Sequence, residues 1–310
     1  MTSAWDGPMP VTVRVPAKVN LALRVGAPRA DGYHPLSTIY QAVGIFDDVT
    51  VERADDWSVS VTGPYADRVP LDDTNLALRA AKALGEEFQI ATALAISITK
   101  DIPVAGGMAG GSADAAAALV ACDRFWDLGL ERRELETFGA ELGSDVPFLV
   151  AGGTAIGSGR GELLAPVLCR GTFHWVFALS ETGLATPDVY AEFDRLRPGA
   201  PLEVPEPHPE AMAALRQGDA RVLAAALSND LQEAALSLRP ELTDVLTSGL
   251  EMGALGGIVS GSGPTLAFLV DSHEAGIDLA VGLTATGLVK DVRRASGPMH
   301  GAHTLLLASD

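Results

Sequence analysis

Cysteine and basic residues are both scarce in this 310-residue chain. Its two cysteines, Cys122 and Cys169, do not form a Cys-x-x-Cys pair, so the sequence supports neither a disulfide framework nor a thiolate zinc site. Lys and Arg total 22 against 40 Asp and Glu, and the net charge of −18 argues against a nucleic-acid partner. Any anionic ligand must therefore meet local donors: helix N-termini, glycine-rich backbone and a few Lys or Arg side chains.

Long hydrophobic runs are missing as well. No stretch approaches the roughly eighteen uncharged apolar residues of a membrane span, and Met1–Pro10 lacks the basic and apolar regions of a signal peptide. We therefore expect a protein of the reducing cytoplasm without a membrane partner. Hydrophobic residues still make up 47% of the chain, which is enough for a substantial core.

The pattern of apolar residues predicts a mixture of strands and helices. Val11–Val15 alternates, and the alternation resumes after Pro16 at Val19–Leu23, which places Lys18 and Asn20 on a common strand face. Further strands are predicted at Val49–Val51, Val59–Val61, Leu94–Ile98, Phe173–Leu179, Leu266–Val270 and Thr304–Leu307. Helices are predicted at Asn75–Leu84, which Gly85 would end, and at Asp114–Leu128, Arg132–Leu142, Ala211–Leu227 and Glu241–Met252.

A domain boundary is predicted after the glycine-dense segment Gly152–Gly161, within Pro166–Gly171 and before the strand at Phe173–Leu179. The chain then divides into residues 1–167 and 168–310, and each part has the size of an ordinary domain. Helices and strands are mixed in both parts.

A glycine-rich segment precedes the predicted helix Asp114–Leu128. Its residues are Pro103, Val104, Ala105, Gly106, Gly107, Met108, Ala109, Gly110, Gly111 and Ser112, followed by Ala113. Closely spaced glycines let backbone N–H groups approach phosphate oxygens, and the N-terminus of the helix adds a positive dipole. The segment therefore suits a magnesium-bound triphosphate, with Ser112 capping the helix or lying near a phosphate or the metal ion.

From glycine density alone, a structural turn before a buried helix is an equally good interpretation of this segment. Two familiar nucleotide-binding motifs are absent. The segment has no Gly-Lys-Ser/Thr ending, and its glycines do not follow the pattern Gly-x-Gly-x-x-Gly. A Walker-type NTPase and a dinucleotide enzyme are therefore both disfavoured.

Three segments resemble, in order and spacing, the motifs of the GHMP kinases: Pro16–Leu21, Val104–Ala116 and Gly261–Thr265. In that family a loop of the second kind wraps the phosphates of ATP. Taken alone, Gly261-Ser262-Gly263 would more simply be a tight turn between two strands. The resemblance implies an ATP-dependent kinase, with Mg²⁺ accompanying the nucleotide and with ATP bound by Pro103–Ala113.

Two further segments, Asp31–His34 and Leu142–Phe148, are similar to the diphosphocytidyl-methylerythritol kinase family within the GHMP kinases. This resemblance implies transfer of the γ-phosphoryl group of ATP to the 2-hydroxyl of 4-diphosphocytidyl-2-C-methyl-D-erythritol, on the non-mevalonate route to isoprenoid precursors. It also implies a two-domain α+β fold: a ribosomal-protein-like N-terminal domain and a ferredoxin-like C-terminal domain, with the substrates meeting between them.

The same resemblance implies that Asp145 is the catalytic base and Lys18 its electrostatic partner. An attacking alcohol must lose a proton, and an ammonium group can stabilise the charge that develops during phosphoryl transfer. Without the resemblance, Asp145 would more simply be a turn residue before Pro147, and Lys18 the solvated end of a strand.

The remaining implied site residues bind the acceptor. Asn20 shares a strand face with Lys18 and is placed to orient the hydroxyl or a phosphate. Tyr33 and His34 resemble the cytidine pocket of the family, and Tyr190 is a second candidate for stacking on the base. Packing of its helix is an equally good role for Tyr190. Gly261, Ser262 and Gly263 complete the implied substrate site.

Asp114 stands where the family commonly has Asn. A carboxylate in the first helical turn would repel a phosphate unless it points away or faces magnesium. Two alternative functions remain open: another GHMP kinase, for homoserine, mevalonate or a sugar, or a nucleotide-binding relative without transfer activity. A pyrimidine pocket would distinguish the first alternative, and retention of Lys18 and Asp145 argues against the second.

Overall fold

A computed structural model describes residues 9–30, 32–104, 106–197 and 205–305. Asp31, Ala105 and the last two residues of the predicted strand Thr304–Leu307 lie outside these ranges. In the described part of the chain, no helix is long and apolar enough to cross a membrane.

The first sheet is organised by two long antiparallel strands, β1 (Val11–Val25) and β2 (Leu36–Arg53). The predicted interruption at Pro16 is a register shift inside one continuous strand, as suits a residue without an N–H group. A second shift falls between Asn20 and Ala22. The two irregularities therefore flank Lys18 and Asn20, and irregularities of this kind redirect side chains.

The remaining strands of this sheet come from both parts of the chain. They are β3 (Ser58–Thr62), β4 (Leu94–Thr99), β5 (Thr154–Gly159), β6 (Leu163–Pro166), β8 (Ser228–Asn229) and β12 (His303–Thr304). The path of the sheet is β12-β1-β2-β4-β3, while β5 pairs with β2, β6 with β5, and β8 with β1. The division of the chain at residue 168 stays a prediction, because β8 and β12 follow that residue in the chain but belong to the first sheet.

Four helices accompany the first sheet: α1 (Leu76–Glu87), α2 (Gly110–Trp126), α3 (Arg132–Leu142) and α4 (Val146–Ala151). The expected stop at Gly85 is wrong, since α1 continues for two residues and packs Gly85 near Trp126. The expected Ser112 cap is also wrong, because α2 begins at Gly110 and Ala109 occupies the N-cap. Most alanines of α2 are fully buried, so small side chains allow the helix to lie deep in the core.

The second sheet consists of β7 (Phe173–Leu179), β9 (Gly256–Val259), β10 (Leu266–Val270) and β11 (Asp291–Gly297). Its strand order is β11-β7-β10-β9, with all neighbours antiparallel. One helix, α10 (His273–Thr286), connects β10 to β11, whereas five helices and the short strand β8 lie between β7 and β9. The order is therefore the ferredoxin-like β-α-β-β-α-β pattern with several helices in the place of the first one. These five helices are α5 (Thr186–Leu196), α6 (Pro209–Gln217), α7 (Ala220–Ala226), α8 (Gln232–Leu238) and α9 (Glu241–Glu251).

The single helix predicted at Ala211–Leu227 is in fact two helices. Gly218 ends α6 with a φ of 73°, in the left-handed region that favours glycine. The side chain of Asp219 then caps α7 by accepting hydrogen bonds from Arg221 N and Val222 N. The sequence Gly218-Asp219 thus carried both a stop and a start signal.

Two cores hold the chain together. The larger core lies against the first sheet and also includes Trp175 and Phe177 of β7. The indole of Trp175 donates a 3.0 Å hydrogen bond to Gln41 of β2, which is fully buried. The smaller core lies under the second sheet and includes Leu23 and Val25 of β1. Each sheet therefore contributes apolar side chains to the core of the other.

Gly249→Ala tests the packing of α9 on β10. A Cβ at buried Gly249 would overlap the ring of Phe268, which is fully buried. We expect a loss of about 1–3 kcal/mol of unfolding free energy, although alanine favours a helix by about 1 kcal/mol. Chemical denaturation measures the change. Thr247→Ala, on an exposed position of the same helix, should change stability by less than about 0.5 kcal/mol; equal effects would contradict the packing.

Candidate active site

A cleft of about 780 Å³ lies between elements of the two sheets and gathers most of the predicted site residues. This volume is typical of pockets that bind small molecules. The predicted residues that line it are Lys18, Asn20, Tyr33, His34, Gly106, Gly107, Ala109, Gly110, Gly111, Ser112, Asp145, Tyr190, Gly261, Ser262 and Gly263.

Four other residues of the predicted ATP segment do not line this cleft. Pro103 and Val104 line a small neighbouring pocket together with Thr265. Met108 and Ala113 are fully buried and support the loop from beneath. Ala105 lies outside the described residues.

The glycine loop and the Gly261–Gly263 turn are packed directly against each other. Gly107 has a φ of 72°, and a Cβ there would overlap the carbonyl oxygen of Ser260. The hydroxyl of Ser260 donates a 3.0 Å hydrogen bond to the Gly107 carbonyl. A Cβ on Gly261 would lie only 3.3 Å from both Lys18 Nζ and Asn20 Oδ1. Glycine is therefore required where the three sequence motifs meet.

Lys18 and Asp145 form an ion pair in the cleft, with 3.8 Å between Lys18 Nζ and Asp145 Oδ2. The Lys18 side chain is 5% exposed and that of Asp145 is 29% exposed. Lys18 Nζ also donates a 2.7 Å hydrogen bond to Asn20 Oδ1, and Asn20 Nδ2 donates to Thr38 Oγ1 at 2.8 Å. Thr38 in turn donates to the Ala22 carbonyl at 2.9 Å, so the ammonium is held by a chain of buried partners.

Asp145 reaches the cleft because the chain turns sharply there. Gly143 ends α3, and Asp145 occupies the N-cap of the short helix α4. Sequence patterns did not predict α4, since its six residues are too few to show a helical period.

Tyr40 is a site residue that sequence reasoning missed. Its ring stacks on Phe148 with 4.8 Å between centroids, and it lines the same cleft as Asp145. Burial raises the pKa of Tyr40 well above its ordinary value, and the negative charge of Asp145 adds to the rise. Tyr40 therefore remains a donor at neutral pH. Tyr40 lies opposite Asn20 in the pairing of β1 with β2, so knowledge of that pairing would have predicted Tyr40 as a residue of the cleft.

The other end of the cleft is aromatic. The ring of His34 lies 5.0 Å from that of Tyr190, and His34 Nδ1 donates to the Gly26 carbonyl at 2.8 Å. His34 Nε2 faces Asp194 at 3.4 Å. Burial raises the pKa of Tyr190, and the charge of Asp145 contributes. Tyr190 both lines the cleft and packs against the smaller core, so its two predicted roles are compatible.

Tyr33 is 55% exposed at the mouth of the same end. The guanidinium carbon of Arg160 lies 5.2 Å from the centroid of its ring, a cation–π arrangement. Arg160 and Asp194 line the cleft and were also missed by the sequence patterns. Neither residue belongs to a quoted motif, so no local signal pointed to it.

Asp114 points away from the cleft into a buried cluster, which removes the expected conflict with a phosphate. Lys100 Nζ donates to Asp47 Oδ2 at 2.6 Å, to Asp114 Oδ2 at 2.7 Å and to the Gly110 carbonyl at 2.8 Å. Burial raises the pKa of Asp114, although the ammonium opposes the rise. Asp47 also accepts hydrogen bonds from the backbone N–H groups of Asp101 and Ile102. The cluster therefore holds both ends of the glycine loop.

Among the described residues, no group of three or more His, Cys, Asp or Glu side chains could hold a metal ion. Ser112, the predicted metal-site residue, lies in the first turn of α2 and lines the cleft.

Comparison with known proteins identifies the class to which this fold and cleft belong. The family model for the GHMP kinases N terminal domain matches residues 75–153, and the model for the GHMP kinases C terminal region matches residues 211–287. A homoserine kinase from Cytophaga hutchinsonii and the L. major mevalonate kinase in complex with R-mevalonate share the fold, each with a TM-score of 0.74, at 18% and 15% identity. The chain is a GHMP kinase.

Closer relatives narrow the class. The 4-diphosphocytidyl-2-C-methyl-D-erythritol kinase of Mycolicibacterium smegmatis is 54% identical over 98% of this chain and 95% of its own length. The same kinase of Thermobifida fusca is 55% identical over 96% and 99%. A crystal structure of 4-(cytidine 5'-diphospho)-2C-methyl-D-erythritol kinase aligns with a TM-score of 0.73 at 30% identity, covering 92% of this chain and 98% of the other. The chain belongs to the 4-diphosphocytidyl-2-C-methyl-D-erythritol kinase family, which confirms the family and the two-domain α+β fold predicted from the motifs.

Lys100→Met tests the cluster behind the glycine loop. The change leaves two buried carboxylates without their cation, and removing one partner of a buried pair costs about 3–5 kcal/mol of stability. Chemical denaturation measures the loss. Lys82→Met is the matched control, because Lys82 pairs at 2.6 Å with Asp73, whose side chain is 83% exposed. That variant should lose less than about 1 kcal/mol, and a similar loss in both would contradict the importance of the cluster.

Proposed function

We propose that this chain transfers the γ-phosphoryl group of ATP to the 2-hydroxyl of 4-diphosphocytidyl-2-C-methyl-D-erythritol. The observation that carries the proposal is that one cleft has the Lys18–Asp145 pair on its wall, a glycine loop beside that pair, and aromatic side chains at its far end. Relatives that bear the name of this activity match nearly the whole chain, which supports the same acceptor.

The glycine loop and the first turn of α2 are suited to the phosphates of ATP. Three successive residues with little or no side chain, Gly110, Gly111 and Ser112, begin α2, where N–H groups have no helical partner. Transfer would then be a direct in-line displacement, in which positioning and charge stabilisation do most of the work. The lysine that lines the cleft beside that loop is Lys18, whose ammonium lies next to Gly261.

Magnesium would accompany the nucleotide. Mg²⁺ usually keeps several waters and binds through substrate phosphates with one or two protein oxygens. The Ser112 hydroxyl is the oxygen that the loop offers, since Asp114 is turned toward Lys100. When bound, the ion would neutralise negative charge on the phosphates of ATP.

Asp145 is the proposed proton acceptor for the attacking hydroxyl. Its carboxylate is partly exposed to the cleft, and its negative charge raises the pKa of the neighbouring Tyr40. Lys18 stabilises the negative charge that develops at the reacting oxygens, and Asn20 holds the ammonium in place. The buried chain through Thr38 keeps this arrangement rigid before substrate arrives.

The aromatic end of the cleft suits the cytosine base. A pyrimidine can stack on Tyr33 or Tyr190, and His34 and Asp194 line the same end of the cleft, where polar groups can meet the edge of the base. Kinases for homoserine and mevalonate share the fold at 15–18% identity, so the fold alone does not select the acceptor. The aromatic residues are what favour the cytidine acceptor over those alternatives.

Asp145→Asn should lower kcat by about 100-fold or more, because the amide has nearly the same shape but accepts a proton poorly. Steady-state kinetics measures kcat, and a fluorescent ATP analogue measures nucleotide binding, which should remain within about 2-fold of wild type. Asp278→Asn, at an exposed site on α10, is the control and should leave kcat unchanged. Near-normal turnover by Asp145→Asn would remove the base from the mechanism.

A panel of acceptors tests the assignment of substrate. With Mg-ATP, kcat/KM for 4-diphosphocytidyl-2-C-methyl-D-erythritol should exceed that for mevalonate or homoserine by at least about 100-fold, since only the first can fill the aromatic end. A coupled assay for ADP measures all three rates under the same conditions. Comparable rates on the three acceptors would refute the proposed function but would leave the family assignment intact.

A further inference from the structure

Arg160 occupies a position in the cleft that none of the sequence motifs explains. It lies in the hairpin between β5 and β6 and lines the cleft. Of the described residues that line the cleft, only Lys18 and Arg160 carry Lys or Arg side chains. Lys18 is already paired with Asp145 and bonded to Asn20. Arg160 is therefore the cation that remains available for a second anionic group.

The hairpin places Arg160 between the two ends of the cleft. Its next residue, Gly161, has a φ of 110°, and a Cβ there would overlap the hydroxyl of Tyr40, which lines the cleft together with Asp145. On the other side, the Arg160 guanidinium carbon lies 5.2 Å from the centroid of Tyr33. Arg160 thus bridges the region between the proton acceptor and the aromatic end.

The proposed acceptor has a diphosphate at the corresponding point. Its reacting hydroxyl and its cytosine lie at opposite ends of the molecule, and the two phosphates join the nucleoside to the alcohol. With the hydroxyl at Asp145 and the base near Tyr33, the diphosphate would lie in the region that Arg160 bridges. Since the net charge of −18 makes the protein as a whole repel anions, a local cation at this point favours binding of the diphosphate.

The guanidinium of Arg160 is held only weakly by its ion pair in the protein, so it can bind a phosphate. Its ion pair with Glu162 is long, 4.0 Å from Arg160 Nε to Glu162 Oε1, whereas Arg14 and Asp48 meet at 2.8 Å. The Glu162 carboxylate instead accepts a 2.6 Å hydrogen bond from the backbone N–H of Arg160, which fixes the turn. The planar guanidinium matches phosphate oxygens in a bidentate manner, and its position over Tyr33 pre-orients it.

We infer that Arg160 is a specificity-determining residue that binds the diphosphate of the acceptor. This inference rests on the proposed function. Arg160 then binds the charged, middle part of the acceptor, and the glycine loop binds the nucleotide donor. Removal of Arg160 should therefore weaken binding of a cytidine ligand only when that ligand carries phosphates.

Calorimetric titration of the full chain with cytidine and with CDP tests the inference, with a non-hydrolysable ATP analogue filling the donor site. Arg160→Gln should weaken CDP binding by about 10- to 100-fold and cytidine binding by less than about 2-fold. Arg160→Lys should fall between, because it keeps the charge but loses the fork. In steady-state kinetics, Arg160→Gln should raise KM for the acceptor and leave KM for ATP unchanged.

The control is Arg221→Gln, which removes an exposed arginine paired with Asp271 outside the cleft and should not change CDP binding. Unchanged CDP binding by Arg160→Gln would overturn the inference, and so would equal weakening of cytidine and CDP, which indicates a structural role. If the wild-type chain binds CDP, either outcome leaves the proposed function standing. If the wild-type chain binds neither cytidine ligand, the proposed function falls as well.

Discussion

The pairing of β1 with β2 is the constraint on which the rest of the molecule depends. Lys18 and Asn20 lie on one of these strands, and Thr38 and Tyr40 on the other. Asn20 stands directly opposite Tyr40 in the ladder, so one stretch of antiparallel pairing sets the positions of Lys18 and Tyr40 in the cleft. The same strands carry the larger core, and the end of β1 enters the smaller one. The same pair of strands therefore stabilises the fold and positions the side chains of the cleft.

Close backbone approach is the second constraint. The glycine loop and the turn after β9 meet so tightly that a Cβ on Gly107 would overlap the carbonyl oxygen of Ser260. Behind the loop, Lys100 and two carboxylates fix its ends from the protein interior. A phosphate ligand would then meet backbone groups that are already ordered, which lowers the entropic cost of binding.

Local patterns predicted a good part of this arrangement. Strand alternation and stop signals predicted most of the strands and helix α3. The resemblance of the motifs pointed to Lys18 and Asp145, which line the cleft, although neither residue would attract attention in the sequence by itself. The patterns failed where tertiary contacts decide. Gly85 does not end α1 because it packs near Trp126, and α4 is too short for a period to appear. Tyr40 and Arg160 were missed because their relevance follows from strand pairing and hairpin position, which a linear pattern does not contain.

The distribution of charge explains how an acidic protein can serve anionic ligands. The charged side chains that line the cleft in the described structure are two cations, Lys18 and Arg160, and two carboxylates, Asp145 and Asp194. This local balance contrasts with the net charge of −18 for the chain. Since the backbone N–H groups at the start of α2 add positive potential without adding a side-chain charge, the cleft is the place where the overall repulsion of phosphates is reversed. The excess of acidic residues can then keep protein molecules apart in solution, while a few fixed hydrogen-bond donors in the cleft select the anionic ligand that binds there.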